Sequence, residues 1–222
     1  MSFAAREHEF EAEPGLPEPL PRNERLLWQG SPDWRALAAR AFHVRKLIVY
    51  FAVVLLLRGA VILSDGGSIA DAAIAVLWLS PLAVIAVAIA VSLAQLSART
   101  AVYTITDRRV VMRIGIVLTV TFNLPYRSIQ NADLRLDPRG GTGDIALALK
   151  SPDRIAYLHL WPHARPWRIA RPEPMLRGVP DAAAVARILS GAWSQATGIA
   201  PQAVNAAPPR TAGDARPPVL AH

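Results

Sequence analysis

The chain has 222 residues and no cysteine, and 52% of it is hydrophobic against 18% charged. That composition excludes disulfides, thiolate metal sites and cysteine nucleophiles, and it points to a membrane protein. The net charge of +7 is uneven, with seven Lys/Arg against seven Asp/Glu in residues 1–46 and sixteen against eight in residues 97–222, so attraction for anionic lipids or acidic proteins belongs to the C-terminal part. No motif supports nucleic acid as a partner.

Residues 1–24 mix glutamate and proline without an apolar period and read as a disordered acidic tail, either a solvated arm or a docking peptide. Residues 25–45 read as an amphipathic juxtamembrane segment. Trp28 and Trp34 flank a Gly-Ser-Pro turn, Ser31 or Asp33 caps a helix that leads directly into the membrane, and Trp34, Phe42 and Tyr50 suit an interfacial belt.

Residues 46–96 form an expected transmembrane hairpin. Lys46–Leu63 and Ile69–Leu96 are each long enough to span, and Ser64-Asp65-Gly66-Gly67-Ser68 forms the turn between them. Arg35, Arg40, Arg45 and Lys46 precede the first helix, Arg99, Arg108 and Arg109 follow the second, and the turn carries no basic residue. The positive-inside rule therefore puts both termini in the cytoplasm. Arg58 either snorkels to the outer interface, meets Asp65 or Asp71, or contacts a partner protein or pigment inside the membrane. Ala86, Ala90 and Ala94 make a smooth stripe for close packing, against the first helix or a partner, and Pro81 is expected to kink or loosen the second helix.

From Arg99 the pattern shortens and alternates, predicting a soluble domain over residues 99–198. Strands are expected at Val102–Thr106, up to Gly115, and in LTVTFNLPY, SIQNADLRLDP, GDIALALK and RIAYLHLWP, with WRIARPEPML as a seventh confined to an edge or loop. A helix follows Pro180-Asp181, with Val185, Ile188, Leu189, Ala192 and Trp193 on one face and Gly198 as its stop. Six or seven strands and one helix make a small β-barrel with a capped end, and residues 199–222 read as a disordered tail.

Chemistry-bearing motifs are scarce. His159 and His163 stand about 13 Å apart on a strand, too far to share a metal ion. Gly140-Gly141-Thr142-Gly143 lacks the Lys-Ser/Thr of a phosphate loop, and no nucleophile elbow or carboxylate pair appears, so neither a metal, a cofactor nor an enzyme is expected. His43 is a weak candidate chlorin ligand beside its plainer role as an interfacial hydrogen-bonding residue. The cluster Arg165, Arg168, Arg171 and Arg177, interleaved with Trp161, Trp167 and Met175, is the best candidate surface for acidic partners or membrane lipids, against the plainer reading of a solvated basic face.

Two resemblances attach to these residues. Tyr103-Thr104-Ile105-Thr106-Asp107-Arg108-Arg109-Val110-Val111 with Gly115, Asn123-Leu124-Pro125-Tyr126 and Ile129 resembles the opening of bacterial pleckstrin-homology-like (PH-like) domains, which implies that fold for the barrel. Phosphoinositide binding is not carried over, because the first turn offers only Asp107-Arg108-Arg109, and Arg108 and Arg109 are expected to be structural or membrane-facing. Leu16-Pro17-Glu18-Pro19-Leu20-Pro21, Glu24 through Trp34, and Ala41 through Leu47 are similar to the PuhB family of photosynthetic complex assembly proteins of purple bacteria. That resemblance covers residues 10–200 and implies an inner-membrane, non-enzymatic transient scaffold whose partners are reaction-centre and light-harvesting subunits. A general membrane-anchored PH-like module is the competing reading, and a homo-oligomer is compatible with both.

Overall fold

Short alternating stretches on either side of the two long apolar runs come together in one fold. The computed structural model describes residues 16, 19–138, 141–150 and 156–198. The predicted C-terminal tail, most of the N-terminal tail, the Ser151-Pro152-Asp153 turn and half of the turn before Gly141 lie outside the described residues.

The first sheet is antiparallel, in the order β1 (Leu26–Gly30), β2 (Val102–Thr106), β3 (Arg109–Ile114), β4 (Val120–Pro125). The second is β5 (Ile129–Leu136), β6 (Thr142–Leu149), β7 (Met175–Pro180). Helix α5 (Ala182–Thr197) packs Val185, Leu189 and Ala192 into the core, and Gly198 stops it in the left-handed conformation that favours glycine. Tyr103, Ile105, Val110 and Met112 of the first sheet meet Ile129, Ile145, Leu147 and Leu176 of the second in the same core.

The expected barrel does not close: these are two sheets, with no ladder joining them among the described residues. Pro125 has no N–H to extend a ladder, and a single 3-10 turn, Tyr126–Ser128, redirects the chain into the second sheet. The buried Tyr126 hydroxyl pins that corner by donating to the Thr106 carbonyl at 2.6 Å. The strand expected in RIAYLHLWP is instead, in its described part, one helical turn, α4 (Tyr157–Leu160), which seats Leu160 in the core. Of WRIARPEPML only its end joins a ladder as β7, because Pro172 and Pro174 lack N–H donors.

The segment read as juxtamembrane divides in two. Leu26–Gly30 is an edge strand in register with β2, Trp28 opposite Ile105 and Gly30 opposite Tyr103. Helix α1 (Trp34–Arg40) follows, with the Asp33 carboxylate accepting from the Ala36 N–H as its cap. It does not run on into the next helix, because His43 adopts φ 55 between them.

Helices α2 (Val44–Ser64) and α3 (Ile69–Thr100) are long and apolar enough to cross a membrane. Leu56, Leu57, Leu77 and Trp78 lie exposed on them, where a core helix of a soluble domain would bury such residues. Ser68 and Asp71 form a reciprocal capping box at the start of α3. Helix α3 continues through Pro81. The Leu77 carbonyl, which loses its usual N–H partner at Pro81, accepts the Ser80 hydroxyl at 2.9 Å.

The decisive topological fact is where this hairpin sits. It is inserted between two adjacent strands of one sheet, β1 before it and β2 after it, so the first sheet is complete only when both ends of the hairpin meet at the domain. Leu16 and Glu24, both assigned to the tail by sequence, are buried; Arg109 forks onto Glu24 with bonds of 2.7 and 2.8 Å.

Candidate interaction surface

Helix α1 joins the hairpin to the domain. Leu37 and Ala38 pack on Ala94 and Ala98 of α3, together with Val44 of α2. The other side of α1 lies on β7. The Asp33 N–H donates to the Gly178 carbonyl at 2.8 Å, the Gly178 N–H donates to Asp144 Oδ1 at 2.8 Å, and a Cβ on Gly178 (φ 61) would stand 3.1 Å from the Asp33 carbonyl oxygen. Glycine is therefore needed there, both for its backbone angle and for the close approach.

Charged side chains complete the joint. Arg40 Nη2 donates to Thr142 Oγ1 at 3.2 Å and stands 3.5 Å from Asp144. The buried Arg177 donates to the Pro162 carbonyl at 2.8 Å and to the Arg40 carbonyl at 3.4 Å, tying β7 to the end of α1. Burial works against its charge, and Asp144 opposes that effect. Next to it the Tyr103 hydroxyl and His163 Nδ1 share a hydrogen bond of 2.6 Å, and the hydroxyl accepts the Arg177 N–H at 3.2 Å. Burial, with Arg177 adding to it, pushes the His163 imidazole down to about 3, so it is neutral. Burial likewise raises the Tyr103 phenol.

From this joint a loop projects outward. Ala164 bridges Pro174, the Arg165 N–H donates to the Glu173 carbonyl, and the Met175 N–H donates to the His163 carbonyl, which makes a narrow stalk. The Arg165 guanidinium braces the stalk through Asp133 at 2.7 Å and Glu173 at 2.8 Å. Beyond it Trp167 is 93% exposed at φ 64 and Ile169 is 69% exposed. Arg168 Nε is 3.6 Å from Glu173 with its side chain largely in solvent, and Arg171 is exposed. On the same loop Leu158 is 84% exposed, and the Trp161 ring meets Phe42 edge to face at 5.2 Å, two residues before α2 begins.

The sequence-predicted residues thus separate. Trp167, Arg168 and Arg171 share the exposed tip, whereas Arg165 is held by two carboxylates and Arg177 and Met175 are buried. Trp28 is not a surface residue: its ring packs against the core and under Gly30. Trp34 lies beside the Arg35 guanidinium, 5.3 Å from it, and borders a shallow cleft with Pro32, Gln95 and Arg99. Ala94 is fully covered and Ala90 partly so by α1 and its neighbours, while Ala86 is half-buried, so the covered end of the stripe serves α1. Arg58 is exposed on α2, and Asp71 is held by Ser68. His43 is exposed at the break between α1 and α2. His159 is exposed on α4 while His163 is buried against Tyr103, so the two do not form one site. Arg109 is structural through Glu24.

Sequence reasoning overlooked Ile169 as a tip residue, the exposed Leu158 on α4, and Asp133 and Glu173 as the brace. The signal for the tip was an apolar-basic alternation, Trp167-Arg168-Ile169, enclosed by Pro166 and Pro172.

The bacterial PH domain family matches residues 44–193, and the chain belongs to that family. It is also 43% identical over 199 residues to an uncharacterised 23.7 kDa protein in the puhA 5′ region of Rhodobacter capsulatus, covering 89% of this chain and 92% of the relative. No solved structure matches it significantly.

Proposed function

We propose that this bacterial PH-domain protein is a non-enzymatic assembly factor for the photosynthetic reaction centre and its light-harvesting antenna. In this reading it is a transient scaffold held in the inner membrane by its hairpin, with both termini cytoplasmic. The observation that carries the reading is the near full-length relative in the puhA 5′ region, and it agrees with the PuhB resemblance of the N-terminal segment.

The joint around α1 supports a scaffold. A hairpin inserted within a sheet and clamped by Arg40, Arg177 and Gly178 transmits the position of a membrane neighbour to the domain without a flexible linker. Weak contacts through half-buried alanines and exposed aromatic residues suit a factor that must leave its client.

A mild-detergent pull-down of a tagged copy from pigmented membranes tests the proposal. Reaction-centre or antenna subunits should be recovered above an untagged control, and a clean, colourless eluate after crosslinking would overturn it. The second reading, a general membrane-anchored binding module, draws on the family match alone. A deletion strain separates them: a general role impairs dark respiratory growth as well, whereas an assembly role impairs phototrophic growth only.

A further inference from the structure

Helix α2 has 21 residues, which at about 1.5 Å each span about 31 Å, the thickness of a hydrocarbon core. Its first residue, Val44, groups with Leu37 and Ala38 of α1 and with Ala94 and Ala98 of α3, so α1 lies at the level at which α2 enters. Phe42, two residues before α2, lies at that level, and Trp161 is in ring contact with it. The loop that carries Leu158, Trp161, Trp167 and Ile169 therefore starts at the bilayer surface.

Its chemistry suits that place. Four large apolar side chains between residues 158 and 169 are exposed, two of them tryptophans, the residue type that favours the headgroup zone. Between residues 165 and 173 three arginines face one glutamate, and Glu173 is already committed to Arg165 and Arg168. The exposed Arg171 and the outer part of Arg168 are left for lipid phosphates.

We propose that the tip formed by Trp167, Arg168, Ile169 and Arg171 is a second membrane contact, which seats on anionic phospholipid headgroups and fixes the tilt of the domain against the bilayer. The stalk favours this: Arg165, pinned to Asp133 and Glu173, braces the base of the loop, so less conformational entropy is lost on seating. This inference rests on the reading of α2 and α3 as membrane-spanning.

The absence of cysteine makes the test direct. Full-length Trp167→Cys, Arg187→Cys and Leu56→Cys proteins, each labelled with an environment-sensitive fluorophore, are reconstituted in vesicles of phosphatidylcholine with or without phosphatidylglycerol. Quenching by lipids spin-labelled at shallow and deep positions is then read. The Leu56 label, mid-span on α2, should report hydrocarbon, and the Arg187 label, on the exposed side of α5, should report water. The Trp167 label should be quenched by the shallow spin, several-fold more than the Arg187 label, and more strongly with phosphatidylglycerol. Adding Arg168→Glu and Arg171→Glu should lower the equilibrium constant for seating about fivefold or more per arginine in the anionic vesicles.

A Leu56 label in water would overturn the membrane-spanning reading and the seat with it. A Leu56 label in hydrocarbon with a Trp167 label as wet as that at Arg187 would overturn the seat alone, and would leave the tip as a surface for protein.

Discussion

The β7 side of the joint and the tip at Trp167 lie on the same loop-and-strand segment, yet they use arginine in opposite ways. At the joint Arg177 is buried and satisfies backbone carbonyls of two elements; at the tip Arg168 and Arg171 reach into solvent. Arg165 stands between them, with two carboxylates holding it. Charge removed from water becomes structure, because any uncompensated group there costs far more than it would at the surface, while charge left in water remains available for recognition.

The sharpest break in that contrast is Arg177→Met. It leaves the Pro162 and Arg40 carbonyls without a donor and Asp144 without its buried cationic neighbour, so stability should fall by about 3–5 kcal/mol. Denaturant titration of the detergent-solubilised protein measures this, and a loss below about 1 kcal/mol would show that the joint does not depend on Arg177.

His163 sharpens the same side of the contrast through pH. Its native value is about 3 against an ordinary 6.5, so in that window the unfolded chain binds a proton that the folded chain refuses. Stability contributed by the neutral imidazole is complete above pH 6.5 and is lost as pH falls towards 3, with a slope of up to about 1.4 kcal/mol per unit. The Tyr103 hydroxyl and Arg177 are the groups that face it. His163→Gln keeps a hydrogen-bonding group for Tyr103 and should flatten this part of the acid slope; parallel curves for the two proteins would sink the assignment.

Glu24→Gln tests an intermediate case, a buried carboxylate forked by a half-exposed arginine. Loss of one charge-assisted pair predicts a decrease of about 1.5–3 kcal/mol in the same titration. An unchanged midpoint would mean that the N-terminal segment is not held to the domain by this pair.

The smallest effect belongs to the tip. Arg171→Glu should leave stability within about 0.5 kcal/mol, because the side chain is exposed. A larger loss would mean that the tip, like the joint, is part of the fold.

Some of this organisation was legible in the residues. The two long helices followed from apolar length, their turn from Asp65-Gly66-Gly67-Ser68, and α5 from its apolar face and Gly198. Five of the expected strands appear at their places, although the barrel and the strand at Tyr157–Leu160 do not. β1 was missed because five residues ending in Gln29-Gly30 carry no clear period, and what makes them a strand is a partner more than seventy positions away. The basic cluster was seen as one surface because sequence spacing cannot tell which arginine meets Asp133 or the Pro162 carbonyl.

Sequence alone therefore determined the local properties: which segments are apolar enough to leave water, where turns and caps fall, and that the C-terminal part carries the excess positive charge. Only the tertiary structure decided that the hairpin is inserted into a sheet, that Ala94 is covered by α1, and that two of four arginines are structural. The physical reason is range. Hydrophobic length and backbone preference act within a few residues, whereas the burial of a charge and the pairing of an edge strand depend on neighbours that only the folded chain brings together.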